Sequence, residues 1–290
     1  MSQKPVNPYL FLGILALIWG SSFILMKEGL KSFTSYEVAI MRIAIAGIVF
    51  VPFVKWRKLD IKTCDYKYFV ISGFLGSAIP AFLFTAAPTR IPSSLAGAIN
   101  GLTPLFALIV GVLFLGVKFN KWKIYGVVVG LLGAFFLIGN QNVDFDINYA
   151  LLAVAAAVCY GINVNIIKEK LGSYPPLIVT AVPLAVIGVF ALGYFILYPL
   201  SDLNLTGILT QDSKSILAVL VLAIFGTSIS LMMFNRLIQQ TNTVFATSVT
   251  YLIPIVALFW GYLANESITI YQVLGLFCIL IAIWLIRKDR

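Results

Sequence analysis

The feature that most constrains this chain is that it repeats itself. Residues Gly76 to Leu113, moved forward by 150 positions, fall without a gap on Gly226 to Leu263, with ten identities in thirty-eight positions. Gly76 and Gly226, Phe84 and Phe234, Pro104 and Pro254, and Gly111 and Gly261 are among the identical pairs. An offset of 141 sets Ala16 to Leu30 on Ala157 to Leu171, so that Trp19-Gly20 meets Tyr160-Gly161 and Lys27-Glu28 meets Lys168-Glu169. A duplicated ancestor accounts for both matches, and internal symmetry of this kind recurs in secondary transporters.

What each copy can fold into is set by its apolar runs. Hydrophobic residues make up 61% of the chain and charged residues 11%, with a mean hydropathy of +1.01. A water-soluble domain carries about 25% charged residues. A bilayer core of about 30 Å takes about 20 apolar residues per helix, and the 290 residues divide into ten such segments. The first five are Tyr9–Met26, Tyr36–Val54, Phe69–Ala87, Ser93–Gly116 and Ile124–Gly139. The second five are Tyr149–Ile167, Pro176–Leu197, Ser215–Arg236, Thr243–Ala264 and Thr269–Ile286. Five per copy is odd, and successive spans alternate direction, so the second copy crosses upside down relative to the first. The expected fold is therefore an all-α integral membrane protein of ten transmembrane helices, arranged as two inverted five-helix repeats, 9–139 and 149–286. Asn140 to Asn148 joins the repeats as a short polar turn, which makes residues 1–290 a single membrane domain.

Loop charges set the expected orientation. With a cytoplasmic N-terminus, fifteen Lys and Arg residues fall inside and four outside (Lys27, Lys31, Arg90 and Lys214), with Arg42 within a helix. Cytoplasmic loops carry the Lys/Arg excess, so both termini are expected in the cytoplasm. The acidic residues Asp144, Asp146, Asp202, Asp212 and Glu266 then lie outside. The net charge of +9 belongs to these short clusters; it is a membrane-orientation signal, and no nucleic-acid partner is expected.

Several classes are excluded. Cys64, Cys159 and Cys278 are odd in number and lack metal-ligand spacing, so neither a disulfide framework nor a zinc site is expected. Histidine is absent, which removes the usual proton shuttle. There is no HExxH, P-loop or nucleophile elbow and no pair of carboxylates at membrane depth, so no enzyme activity and no cofactor are expected. Tyr9 to Met26 lacks a small-residue cleavage site and returns as the first helix of the second repeat, so it is read as a span rather than a signal peptide.

The ordered motifs resemble the drug/metabolite transporter superfamily, in its EamA-type ten-helix branch. They are Ile18-Trp19-Gly20-Ser21-Ser22-Phe23, Met41-Arg42, Leu102-Thr103-Pro104-Leu105, Gly126 to Gly133, Leu252-Ile253-Pro254-Ile255 and Asn265-Glu266. One departure is that Val117 stands where the first repeat would match Glu266. The resemblance implies a central cavity lined by helices 1, 3, 4, 6, 8 and 9, with the helix 3–4 and 8–9 hairpins rocking to open opposite faces.

Within that frame the expected solute-contacting residues are Trp19, Ser22, Asn100, Tyr160, Asn163, Thr250 and Tyr251, and the expected gating residues are Pro104, Pro254, Lys27 and Lys168. Trp19 and Tyr160 sit about ten residues into their helices, at midplane depth, where an interfacial belt would not place them. Asn163 and Asn165 are two apart and cannot share a helix face, so one lines the cavity and the other bonds to a neighbouring helix. Thr227, Ser228 and Ser230 serve either as interhelical glue or as solute contacts. Proline within a helix removes a backbone hydrogen bond, so kinks are expected at Pro104 and Pro254, as hinges or as packing features. Lys27 and Lys168 at helix ends either snorkel or form two basic rims to the pathway. Arg42, about two turns into its helix, is expected to find a structural partner rather than solute. Gly126, Gly130 and Gly133 are expected to pack inside the fold rather than to form a dimer face.

The expected activity is secondary transport of a small organic solute, an amino acid or related metabolite, outward across the inner membrane by alternating access; export is implied by the resemblance alone. A carrier for a lipid-linked headgroup and a non-transporting scaffold or sensor are the alternatives. Its partners are the solute and the lipid bilayer, a monomer is one expected state, and all eleven acidic residues lie near helix ends or in loops. Carboxylate-based proton coupling at the membrane centre is therefore not expected.

Overall fold

Several helices begin where a polar side chain takes their orphan amides. In the computed structural model, which describes residues 7–91, 93–116, 120–138, 146–197, 213–263 and 270–288, Asn7 caps α1 (Pro8–Gly29) by accepting from Tyr9 and Leu10 N–H. Thr34 and Glu37 form a reciprocal capping box on α2 (Ser35–Val49), with Glu37 accepting from the Thr34 amide at 2.7 Å. Glu37 is thereby held in the first turn of α2. α3 (Tyr66–Gly73) runs through a π-helical turn, Phe74–Ala78, into α4 (Ile79–Ala86). α5 (Ser93–Asn100) and α6 (Thr103–Leu115) make a broken pair, which ends at Gly116 in the left-handed conformation with φ 61°. α7 (Lys121–Ile138) closes the first repeat.

In the second half, α8 (Ile147–Lys170) is capped by Asp146 and followed by α9 (Pro176–Leu197). α10 (Ser213–Ala223) passes through a π-helical turn, Ile224–Ile229, into α11 (Ser230–Gln240). α12 (Thr243–Thr247) and α13 (Val249–Leu263) are a second broken pair, and α14 (Ile270–Arg287) is last. No strand occurs among the described residues. Six helical spans among them are long and apolar enough to cross a bilayer. Lys4, Val117, Lys118, the junction residues 140–145, Asp202, Asp212, Asn265, Glu266 and Asp289 lie outside the described residues.

The expected kinks take two different forms. Pro104 sits in the first turn of α6, where a missing N–H is harmless, and the break falls just before it at Gly101-Leu102. In the second repeat the interruption is at Ser248, and Pro254 lies inside α13. The matched prolines therefore do not mark matched breaks. Matched positions are instead shared by the π-helical turns, since Phe74 and Ala78 advance by 150 onto Ile224 and Ser228. Their cause is local. Pro80 cannot donate back to Gly76, and its mate Ser230 occupies the Gly226 carbonyl with its hydroxyl at 2.8 Å.

Glycines set how closely the helices approach. A Cβ on Gly47 would lie 2.7 Å from Gly188 Cα, which joins α2 and α9 backbone to backbone. Gly47 and Gly188 are themselves 141 apart, the offset of the first helices. Gly126 and Gly133 let α7 close on α14, where an added Cβ would come within 2.9 Å of the Ala282 and Gly275 carbonyls. Gly130 accommodates the ring of Tyr251. All three expected glycines thus have neighbours within the chain. Large apolar side chains such as Phe114, Phe135, Val189, Phe190 and Trp284 are exposed along the helices, a surface suited to lipid.

The ends of the helices fix their relative directions. Tyr9 packs on Phe245 and the Arg236 guanidinium lies over Phe11, so α1 begins beside the end of α11 and the start of α12. The last turn of α8 reaches that same place, where Lys168 meets the end of α11. At this end one apolar core draws on both halves, from Leu12 and Phe69 to Ile167, Leu237 and Phe245. At the other end the core divides into one cluster around Phe84, Ile91 and Ala153 and another around Met26, Phe33 and Val219.

Candidate functional site

The divided core leaves a cavity between the halves, with about 970 Å³ of empty space counting the part open to solvent. Its wall is largely apolar and aromatic. Trp19 stands edge-on to Phe234, with ring centroids 5.0 Å apart, and Tyr160 stacks on Phe84 at 5.9 Å. These two pairs are the same pair twice, because Trp19 advances by 141 to Tyr160 and Phe84 by 150 to Phe234.

Two further contacts repeat across the halves in the same way. A Cβ on Gly20 would lie 2.6 Å from Val256 Cβ, and one on Gly161 would lie 2.6 Å from Phe106 Cβ. A Cβ on Gly226 would meet Ser22 Oγ at 2.9 Å, and one on Gly76 would meet the Asn163 amide. In each case the first helix of one repeat packs on a hairpin helix of the other. The cavity is consequently walled by reciprocal exchange between repeats.

Hydrogen bonds fix several wall residues. The Trp19 indole N–H donates to the Gly226 carbonyl at 3.1 Å and to Ser230 Oγ at 3.0 Å, using the carbonyl displaced at the π-helical turn. Arg42 Nε donates to Thr227 Oγ1 at 2.5 Å, and Thr227 donates in turn to the Leu222 carbonyl, five residues back. Thr103 donates to Asn100 Oδ1 at 3.1 Å across the break between α5 and α6. Asn163 is 5% exposed and its Oδ1 has no hydrogen-bond partner. Among the described lining residues Arg42 is the single charged one.

The profile of the EamA-like transporter family matches this chain twice, over residues 7–139 and 147–288. The chain belongs to the EamA-like transporter family. Among its relatives, an uncharacterized transporter of Archaeoglobus fulgidus is 23% identical over 98% of this chain and all of its own length. The uncharacterized inner membrane transporter YedA of Escherichia coli K12 is 26% identical, covering 95% of this chain and 89% of YedA. A protein of the same organism named a probable amino-acid metabolite efflux pump is 23% identical over 94% of this chain and 93% of its own. A solved crystal structure shares the fold, with a TM-score of 0.75 at 16% identity over 97% of this chain and 96% of that one.

In this EamA-like chain Trp19, Ser22, Asn100, Tyr160, Asn163 and Thr250 all come together on the cavity wall. Tyr251 does not. It is fully buried, against Gly130, and donates its hydroxyl to the Val127 carbonyl at 3.2 Å, so it holds α13 to α7. The residue beside Thr250 faces away from it because successive helix positions are about 100° apart. Asn165 is the partner-binding member of its pair, donating to the Ala107 and Gly161 carbonyls at 2.9 Å each. Arg42 finds the structural partner expected of it, Thr227 of the other repeat, and that bond is made on the cavity wall itself.

Lys168 is held by backbone carbonyls. Its ammonium turns inward and donates to the Ile238, Gln239 and Thr241 carbonyls at 3.1, 3.1 and 2.6 Å, which uses all three donors on the end of α11. It is a tether here rather than an open rim. Lys27, its mate, is exposed at the opposite end. Around Lys168 the same end is tied by Gln239 donating to the Tyr174 carbonyl and by the Tyr174 hydroxyl donating to Asp65 at 2.7 Å. The Asp65 carboxylate holds the Tyr174 phenol above its ordinary pKa, because it accepts that proton.

The resemblance left out the second helix of each repeat. Ile43 of α2 and Leu184 of α9 line the cavity, and they are mates at the 141 offset. The glycine pair at 47 and 188 carries that offset into these helices and was the available signal.

Proposed function

We infer that this chain is a secondary transporter that moves a small organic solute outward across the inner membrane by alternating access. The observation that carries the reading is the cavity walled by repeat mates, because two equivalent halves around one site can exchange roles between faces. The chain's ten crossings form two inverted repeats within one membrane domain that works as a monomer. Support for the inversion comes from α1 and α8, sequence mates that reach the Lys168 end from opposite directions. The name of the E. coli relative, a probable amino-acid metabolite efflux pump, favours an amino acid or related metabolite as solute. The ties of Lys168, Gln239 and Tyr174 over a core drawn from both halves, with separate clusters at the opposite end, fit a state closed on one face and open on the other. Counterflow of preloaded solute in proteoliposomes is the test. Accumulation of labelled solute against unlabelled solute on the far side is expected, and binding without any flux sinks the reading in favour of a sensor.

Both termini are placed in the cytoplasm, on the loop-charge asymmetry. Cys64, which is exposed at the Lys168 end, should stay unlabelled by an impermeant thiol reagent in intact cells, whereas Lys31→Cys should label. The reverse pattern turns the topology over.

The prolines act as hinges in this scheme. Pro104→Ala lets α5 and α6 approach a continuous helix, while Pro254→Ala restores an amide within α13. Each change should shift the state balance, read by distances between spin labels across each face. Unchanged distances in both variants would leave the prolines a packing role.

A further inference from the structure

The cavity wall is mated almost throughout, and its charge is an exception. Advancing by 141 takes Trp19 to Tyr160 and Ser22 to Asn163, and advancing by 150 takes Ser77 to Thr227 and Asn100 to Thr250, all of them on the wall. Arg42 advances by 141 to Pro183, which lies outside it. A fixed positive charge therefore stands on one repeat alone, in a site otherwise made to work symmetrically.

That charge has no counter-ion among the described residues. Glu28 pairs with Lys31, Glu37 closes the α2 capping box, Asp65 accepts from Tyr174, and Asp146 caps α8. Asp60 and Glu169 are exposed in a loop and in the last turn of α8. The other ionisable group among the described lining residues is the Tyr160 phenol. An arginine side chain does not lose its proton in a protein, and a charge at the centre of a membrane helix is costly unless paired. Nε is engaged by Thr227, which leaves the Nη edge, whose flat pair of donors matches a carboxylate. The second observation is Asn163, 5% exposed on the same wall, whose Oδ1 has no partner and calls for a donor from whatever fills the site.

We propose that the solute is an organic monoanion, a carboxylate held on the Nη edge of Arg42 that also carries a neutral hydrogen-bond donor for Asn163, of the 2-hydroxy acid type. The proposal rests on the transport reading above and narrows it. Net charge decides between this class and the matching amino acid. A monoanion brings the occupied site to neutrality, whereas a zwitterion with its carboxylate on Arg42 leaves a net positive charge on its own ammonium, for which the described wall has no carboxylate. Trp19, Phe84, Tyr160 and Phe234 supply faces for an apolar body.

The test uses the purified full chain and three matched probe sets: lactate, 2-hydroxyisocaproate and 3-phenyllactate, their 2-amino acid counterparts, and their 2-hydroxy amides. Thermal stabilisation and proteoliposome counterflow are read for each. The 2-hydroxy acids are expected to stabilise and exchange, with the amides and amino acids at least tenfold weaker. Arg42→Gln should weaken the hydroxy acids by roughly a hundredfold and abolish the preference for them over the amides. Arg42→Lys, which keeps the charge without the flat edge, should retain part of it and guards against a Gln variant that fails to fold. Flux of amino acids or amides without a response to the hydroxy acids overturns the monoanion and leaves transport standing. Stabilisation by the hydroxy acids with no counterflow of any probe keeps the site and removes the transport reading. Silence of all nine probes in both measurements overturns both.

Discussion

Replacing Gly161 with leucine should abolish a folded, monodisperse protein or lower its thermal midpoint severely. Even the first carbon of the new side chain would lie 2.6 Å from Phe106 Cβ, 2.8 Å from the Phe106 carbonyl carbon and 2.9 Å from the Ala107 amide nitrogen. Two of those neighbours are backbone and cannot rotate away, so α6 as a whole must move from α8. That movement also breaks the bond from Asn165 to the Ala107 carbonyl, leaving the buried amide with the Gly161 carbonyl alone. Overpacking alone costs about 1–3 kcal/mol and occasionally more, and the lost bond adds roughly 0.5–1.5, so the total should reach about 2–4 kcal/mol. Gly20→Leu should be milder. Its nearest neighbours are the Cβ and Cγ1 of Val256, a side chain with some freedom, at 2.6 and 2.7 Å. Gly13→Leu is the control, since nothing lies within 4 Å of its added carbon. Fluorescence-detected size exclusion after heating reads all three. A Gly161→Leu protein that melts with the parent would show that the crossing of α8 and α6 is not close in the membrane.

Lys168→Met should shift the protein away from the closed arrangement at the Lys168 end by about tenfold. Three carbonyls at the end of α11 lose their donor, and a hydrogen bond to a charged group contributes roughly 1.5–3 kcal/mol. The ammonium is part-buried, so solvent reduces the sum, and about 1.5 kcal/mol is the reasonable share, a factor of about ten. Symmetry supplies the complementary expectation. The carbonyls of Ile238, Gln239 and Thr241 have Pro88, Thr89 and Ile91 as mates at the 150 offset, and Lys27 is the mate of Lys168. Among the described residues Lys27 makes no bond to that stretch in this state. On the exchange of faces, Lys27 should engage those three carbonyls while Lys168 lets go. Lys27→Met should therefore bias the balance in the opposite direction to Lys168→Met, and the double variant should return near the parent. Distances between labels on α8 and α11 at one face, and on α1 and α4 at the other, give both populations. A Lys27→Met shift in the same direction as Lys168→Met defeats the swap.

The amino-acid sequence alone carried the all-helical character, the repeat and the family motifs, because apolar run length and self-similarity are local properties of the chain. It also carried most of the cavity wall. Trp19, Tyr160, Ser22 and Asn163 fall at matched places in matched helices, and a wall built by symmetry is legible in its offsets. Tyr251 shows where this ends: one residue from a lining threonine, its direction depended on the position of α7, which no local pattern contains. Which groups hold Arg42 and Lys168 was not legible for the same reason, since the chemistry of a charged side chain is set by the groups that reach it from other elements. Thr227 lies 185 positions from Arg42, and the carbonyls that hold Lys168 lie 70 to 73 away. The π-helical turns were half visible, in the small residues at 76–78 and 226–228 and in Pro80, although proline by itself also fits a kink. Composition and periodicity thus settled which segments are helices and which are equivalent, because burial in lipid acts on each segment separately. Tertiary structure alone decided which faces meet, which charge stands in the cavity and which lysine is tied down, because those depend on distances between segments far apart in the chain.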